Sequence, residues 1–446
     1  MTECNTKSIA FSRVRRRQVI ADFNGGRLTT DAGVLLLREV DRQIGLLDAI
    51  NDCIPDPRDP RYTVHQQREM LAQRIFSLAL GYEDLNDQQT LRDDPALQVA
   101  AGKLAEEDSP LASPPTLCRL ENRVNRKALV EMSKLLVEHF LAAQKSRKSH
   151  PKKSCSISTP PTIRSTASRR DGSIRDTTNT TASCRSMSSA ADTCCVPCCG
   201  HRISMRPNNS RAITKLLVQR IRQQWPDVKI IIRGDSGFCR WKLMRWCDKH
   251  DVDYVFGLGR NKVLERRIAP LMKEAEAAFE ATGEKQRLFD EIDYAAGTWD
   301  RERRVVMKAE RLPEGPNRRF VVTSLTEEAG QLYDDIYTQR GDMENRIKEQ
   351  QLMLFADRTS CHDFLANQFR LLLSSFAYVL LHKLRESHLA GTDLEKAQVN
   401  RIRLVLLKVA ARVTVSVRRV VLHLSSSCPF QNLFRRVAAS LIPDSG

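Results

Sequence analysis

The sequence predicts an α/β fold in which an all-helical N-terminal domain precedes a core of alternating strands and helices. Three observations lead there. Between residues 21 and 144 apolar residues recur at helical spacing, broken only at Asp56-Pro57-Arg58-Asp59-Pro60 and Ser109-Pro-Leu-Ala-Ser-Pro-Pro115. From residue 212 onward an amphipathic segment is followed by a short β-branched run, and the pair then repeats, an alternation that implies parallel packing with a site at the strand ends. Finally, 41% of the 446 residues are hydrophobic, enough to bury the cores of about three domains.

Taken in order, residues 1–20 read as a basic tail carrying Arg13, Arg15, Arg16 and Arg17. Gly25-Gly26 makes a turn, and Thr29-Thr30-Asp31 caps a helix whose apolar positions are Val34, Leu35, Val40 and Leu47. Helical spacing over 65–82, 86–101 and 117–144 completes the N-terminal domain, 21–144. Residues 145–211 break the pattern. They hold 13 Lys and Arg against three Asp, with 14 Ser and 8 Thr, and contain no Leu, Phe, Tyr, Trp, Glu or Gln. Such a stretch buries no apolar area to offset the entropy of ordering and reads as disordered. Ala212–Gln224 is then a helix, Val228-Lys-Ile-Ile-Ile-Arg233 a buried strand, Trp241–His250 a helix and Val252–Leu258 a second strand. Residues 263–324 read as a β-rich insertion, with a helix over 263–282 and strands over Arg303–Ala309 and Arg318–Thr323. Helical character resumes at Thr326, and 362–386 is a strongly apolar helix. Residues 389–446 form a basic C-terminal region.

The formal charge of +17 and pI of about 9.5 suit a polyanionic partner. The longest apolar candidate, Leu371–Leu381, is 11 residues and is interrupted by Ser374 and Ser375, short of the roughly 18–20 residues of a membrane span. No apolar leader follows Met1, so a cytoplasmic location with reduced cysteines is expected.

Two motifs carry chemistry. Asp235 stands at a strand end in Arg-Gly-Asp-Ser-Gly-Phe, and Tyr337-x2-Arg340-x3-Glu344-Asn345-x2-Lys348 puts a phenol, a guanidinium, a carboxylate and an ammonium on one helix face. A carboxylate flanked by cations suits a place where metal ions meet phosphate. The same pattern also suits an exposed, salt-bridged helix. Cys194-Cys195-Val196-Pro197-Cys198-Cys199 with His201 offers half of a zinc ligand set, with no evident fourth ligand.

The wording of these motifs resembles the DDE transposases of bacterial insertion sequences, in the branch with a Tyr-x2-Arg-x3-Glu signature, most closely the group numbered thirteen-eighty. Asp22-Phe-Asn-Gly-Gly-Arg-Leu-Thr-Thr-Asp-Ala-Gly, Gly81-Tyr-Glu-Asp-Leu-Asn-Asp, Arg340-Gly-Asp-Met-Glu-Asn-Arg-Ile-Lys-Glu and Ser416-Val-Arg-Arg extend the likeness over nearly the whole chain outside 145–211. The resemblance implies a ribonuclease-H-like core over 212–262 and 325–388, and a DNA-binding role for the helical region. It also implies that two Asp and one Glu hold Mg²⁺ (or Mn²⁺) for nicking and strand transfer. Asp235 matches the second acid and Glu344 the third, both as catalytic residues and as metal ligands. Tyr337, Arg340 and Lys348 match the signature helix, and with Arg15, Arg16 and Arg17 they are expected on DNA. Gln351 stands where the wider branch has lysine. Implied partners are double-stranded DNA, both terminal repeats and target, and a second copy in a homodimer at the bacterial nucleoid. The alternative is a non-catalytic basic DNA-binding protein.

The first acid should lie before Asp235, where the chain has its Ser/Thr/Cys segment. A double frameshift accounts for this. If each true codon takes the third base of one written codon and the first two of the next, Ser156 to Thr166 can become Leu-Asp-Leu-Asp-Ala-Thr-Asp-Asp-Pro-Leu-His. The aberrant frame opens by about Ser154 and closes near Asn208. As written, the chain is expected to be inactive and to leave the strands at 228–233 and 252–258 without a neighbour.

Overall fold

A computed structural model describes residues 8–104, 107–145, 154–158, 181–185, 208–358 and 360–442. The zinc reading at Cys194–His201 lies outside the described residues. Along the chain run β1 (Ile9–Val14), β2 (Arg17–Ala21), β3 (Leu28–Thr29), α1 (Val34–Ile44), α2 (Leu46–Cys53), α3 (Gln67–Leu80), α4 (Gln88–Leu91), α5 (Pro95–Ala101), α6 (Pro114–Arg123) and α7 (Arg126–Lys145). Next come β4 (Ser154–Ser158), β5 (Thr181–Arg185), α8 (Asn208–Gln224), β6 (Ile230–Gly234), α9 (Trp241–Lys249), β7 (Asp253–Leu258), α10 (Lys262–Thr282), β8 (Gln286–Tyr294), β9 (Arg303–Leu312) and β10 (Gly315–Thr323). The chain continues through α11 (Ala329–Gln331), α12 (Arg340–Met353), α13 (Phe364–His388), α14 (Val399–Ile402), β11 (Ala411–Ser416), β12 (Arg419–Leu424) and α15 (Gln431–Leu441). Two compact units result, one of 1–129 with 349–446 and one of 130–348.

The first unit is built on α13, which packs against α3, α1 and α6. At 25 residues α13 is long and apolar enough to cross a membrane by composition, but two-thirds of its most apolar window is buried within the protein. Buried polar groups fix its partners. Arg385 pairs with Glu349 at 3.0 Å, and Glu349 also accepts the Val399 N–H at 2.6 Å. Arg74 of α3 meets Glu121 of α6 at 2.9 Å, both nearly inaccessible to water. The basic C-terminal region is therefore not separate. β11 pairs antiparallel with β3, and the Arg403–Leu407 turn passes so close to Gly33 that a Cβ there would lie 1.9 Å from the Leu406 carbonyl oxygen. Only glycine fits. Asp31 does not cap α1, whose N-cap is Gly33. It is buried instead, accepting from the Tyr82 hydroxyl at 2.8 Å and pairing with Lys408 at 2.6 Å. The segment expected as a basic tail is the β1–β2 ribbon.

The second unit carries a seven-stranded sheet in the order β5-β4-β6-β7-β10-β9-β8. β4, β6 and β7 run parallel to their neighbours in that group, while β5, β10, β9 and β8 pair antiparallel. Every residue of β6 is buried, as the uninterrupted run Ile230-Ile231-Ile232 requires of a strand covered on both faces. Three expectations are corrected here. The strands within 263–324, expected as a pair, are three, and β10 joins them to β7 in the same sheet. Residues 349–388 belong to the first unit, since the apolar face of α13 finds its partners there. The strands at 230–234 and 253–258 do not lack a neighbour, because Ser154–Ser158 pairs with β6. Ladder hydrogen bonds come from the backbone, so a run written Ser-Cys-Ser-Ile-Ser can still pair.

Candidate catalytic site

Within the second unit the carboxyl ends of β6 and β7 gather two sequence motifs. Ile230, Ile231 and Ile232 anchor β6 in the core, and Arg233 follows with only 3% of its surface exposed. Its guanidinium donates to the Ile336 carbonyl at 3.0 Å and to Gln339 Oε1 at 3.1 Å, tying the strand end to a segment about 100 residues later. Asp235, half-buried, lies just past Gly234. Its Oδ1 accepts the Gly237 N–H at 2.9 Å, an Asx turn that orients the carboxylate, and the turn is pinned by buried Phe238 before α9 begins.

Opposite lies the signature segment. Leu332–Tyr337 is π-helical, with the Thr338 N–H donating to the Tyr333 carbonyl at 2.9 Å. Leu332 and Tyr333 sink into the cluster formed by Ile231, Val255, Val306, Val321 and Leu325, and Tyr333 packs between the rings of Phe289 and Tyr337. Burial pushes the Tyr333 phenol up to about 12, so it stays neutral. Tyr337 is carried inward. A Cβ on Gly257 would lie 2.8 Å from the Tyr337 hydroxyl, 3.4 Å from the Ser236 nitrogen and 3.6 Å from the Asp235 carbonyl carbon. The phenol therefore rests on β7 beside the Asp235 turn.

The expectation of one α-helical face bearing residues 337, 340, 344 and 348 is corrected. The α-helix α12 starts only at Arg340, and Tyr337 belongs to the π turn before it. Arg340 and Glu344 are helical in backbone, but their side chains lie outside the described residues, while Lys348 is exposed. Arg15, Arg16 and Arg17 sit at the exposed tip of the β1–β2 ribbon in the first unit. Two residues escaped the sequence reading, Arg233 and Gly257. A glycine inside the buried run Tyr254-Val255-Phe256-Gly257 was the available signal, since such a glycine marks close approach of another group.

A family model described as transposase DDE domain group 1 matches residues 11–150 and 198–444. The chain belongs to this family of DDE transposases. The match passes over residues 151–197. No curated protein matches the chain. Among solved structures it is similar to the piggyBac transposase synaptic complex with hairpin DNA, seen by cryo-EM. The TM-score is 0.35 and the identity 10%, over 85% of this chain and 81% of that one. DDE transposases work with divalent metal ions, so the donor set decides what this site can hold. Among the described residues no group of three or more His, Cys, Asp or Glu could hold a metal ion. Asp235 is the one motif carboxylate whose side chain is described, and a two-ion site needs more than that. The described residues alone do not fit the metal pair.

Proposed function

We propose that this DDE transposase served a bacterial insertion sequence, cutting and joining double-stranded DNA at the element's terminal repeats and at its target, and that the chain as written is inactive. The observation that carries the reading is the end of β6. A carboxylate follows a buried strand with parallel neighbours on both sides, and the phenol of the signature motif rests beside it. The strand order β5-β4-β6-β7, with β5 antiparallel and the others parallel, supports a ribonuclease-H-like core. In this reading Asp235 and Glu344 are the two surviving ligands for Mg²⁺ or Mn²⁺, which when bound would activate water and neutralise charge at the scissile phosphate. Gly237 orients Asp235 through its N–H. Arg15, Arg16, Arg17, Tyr337, Arg340 and Lys348 contact DNA, and two copies act together on it in the bacterial cytoplasm.

The inactive state follows from β4. Its written residues carry no carboxylate, and its last residue, Ser158, pairs with Arg233, two residues before Asp235. Restoring the shifted frame puts aspartates at positions 157 and 159, at the end of the strand beside β6. The family match, which passes over 151–197, leaves out most of the segment between Ser154 and Asn208 and so supports a lost frame there. A Mn²⁺ titration of the frame-restored protein tests the assignment. Binding should weaken at least tenfold in Asp235→Ala and in Glu344→Ala, about 1.4 kcal/mol each. Unchanged binding in both variants would remove these residues from the site.

A further inference from the structure

The β1–β2 ribbon is a two-stranded sheet of its own, and among the described residues no third strand joins it and no carboxylate pairs with its arginines. Ile9 pairs with Ala21 and Phe11 with Val19, so one face presents these four residues together. Phe11 is 55% exposed and Ile9 45%. At the turn, Arg15 adopts a left-handed φ of 56°, and Arg13, Arg16 and Arg17 flank it. No acidic residue occurs from 8 to 21. Isolated two-stranded ribbons are at best marginally stable in water, and an exposed apolar face is a site of interaction.

The charge selects the occupant. Four arginines without an acid repel a second ribbon of the same kind and attract a polyanion. A two-stranded ribbon fits the major groove of B-DNA, about 12 Å wide, where apolar side chains meet thymine methyl groups. We propose that the Ile9–Ala21 ribbon is a DNA arm that lies in the major groove. Ile9 and Phe11 face the base edges, and the arginines at its tip grip the flanking phosphates. This rests on the reading of the chain as a DNA-binding transposase, and adds to it a groove contact that phosphate binding alone does not require.

The test uses the full-length protein and a fluorescein-labelled random-sequence duplex, with affinity measured across a salt series. Phe11→Ser should weaken binding about tenfold or more with the salt slope unchanged, because it removes apolar contact and no charge. Arg15→Gln with Arg16→Gln and Arg17→Gln should flatten the slope of log affinity against log salt by about 0.9 for each phosphate no longer neutralised. Duplex should also slow tryptic cleavage at Arg13–Arg17. Unchanged affinity in Phe11→Ser overturns the groove contact while leaving phosphate binding intact. A shift of Phe11→Ser from dimer to monomer in sedimentation makes the face a self-association surface and overturns it. Tryptic protection by anionic vesicles but not by duplex does the same. Wild-type protein that binds no duplex at all overturns the transposase reading as well.

Discussion

Tyr337 lies beside the Asp235 turn only because residue 257 has no side chain. Tyr337 and Gly257 are 80 residues apart in sequence, and Tyr337 and Asp235 are 102 apart, so nothing local in either motif reveals the approach, whereas Asp235 at a strand end was legible from the isoleucine run and the glycine before it. The spacing of Tyr337, Arg340, Glu344 and Lys348 suggested a single α-helix. The burial of Tyr333 between Phe289 and Tyr337 coincides instead with a π turn, a choice made by tertiary packing and invisible to periodicity. A double-mutant cycle checks the contact. Gly257→Ala should cost about 1–3 kcal/mol in denaturant unfolding, as overpacking does. In a Tyr337→Phe background, which lacks the oxygen the new methyl group meets, the cost should fall by at least about 0.5 kcal/mol. Equal costs in both backgrounds would show that the hydroxyl does not sit there.

Three elements were read nearly to the residue: α10 because its buried Leu264, Ile268, Met272 and Ala275 repeat on one face, and α3 and β7 because their apolar runs are buried on all sides. β8 was missed. It lies at the sheet edge with its charged residues exposed and so lacks the apolar density of a buried strand. Beside it, Lys308 and Glu310 of β9 are buried side by side, with Glu310 accepting from Lys308 at 2.6 Å and Asn317 at 2.7 Å and pairing with Lys285 at 2.9 Å. Burial works against the Glu310 carboxylate, but these partners outweigh it and hold its pKa at about 2. A carboxyl depressed in the folded state adds stability above its unfolded pKa, near 4.5, and that stability is lost as the pH falls through about 2. The contribution is on the order of 3 kcal/mol. Glu310→Gln should therefore lower stability at pH 7 and flatten its decline between about pH 4.5 and 2. An acid unfolding profile parallel to wild type would show that Glu310 does not link the strands in this way.

On the scale of the whole chain, the two units were not legible, because the first is closed by contacts such as Gly33 with Leu406 that join the two ends of the sequence. The anomaly at 145–211 was legible by composition alone, and the family match leaves out 151–197 within it. What composition did not reveal is that Ser154–Ser158 pairs beside β6, since strand pairing is backbone chemistry. In the proposed reading the missing function is a matter of carboxylates, which restoring the frame between Ser154 and Asn208 would supply beside β6. The most direct measurement compares the written and frame-restored chains on a supercoiled plasmid carrying the terminal repeats that flank the coding sequence, in Mg²⁺. The restored chain should cut at the repeat ends and lose that activity in Asp235→Ala and Glu344→Ala, while the written chain leaves the plasmid intact. Cleavage by the written chain, or undiminished cleavage by the restored Asp235→Ala variant, would contradict the account.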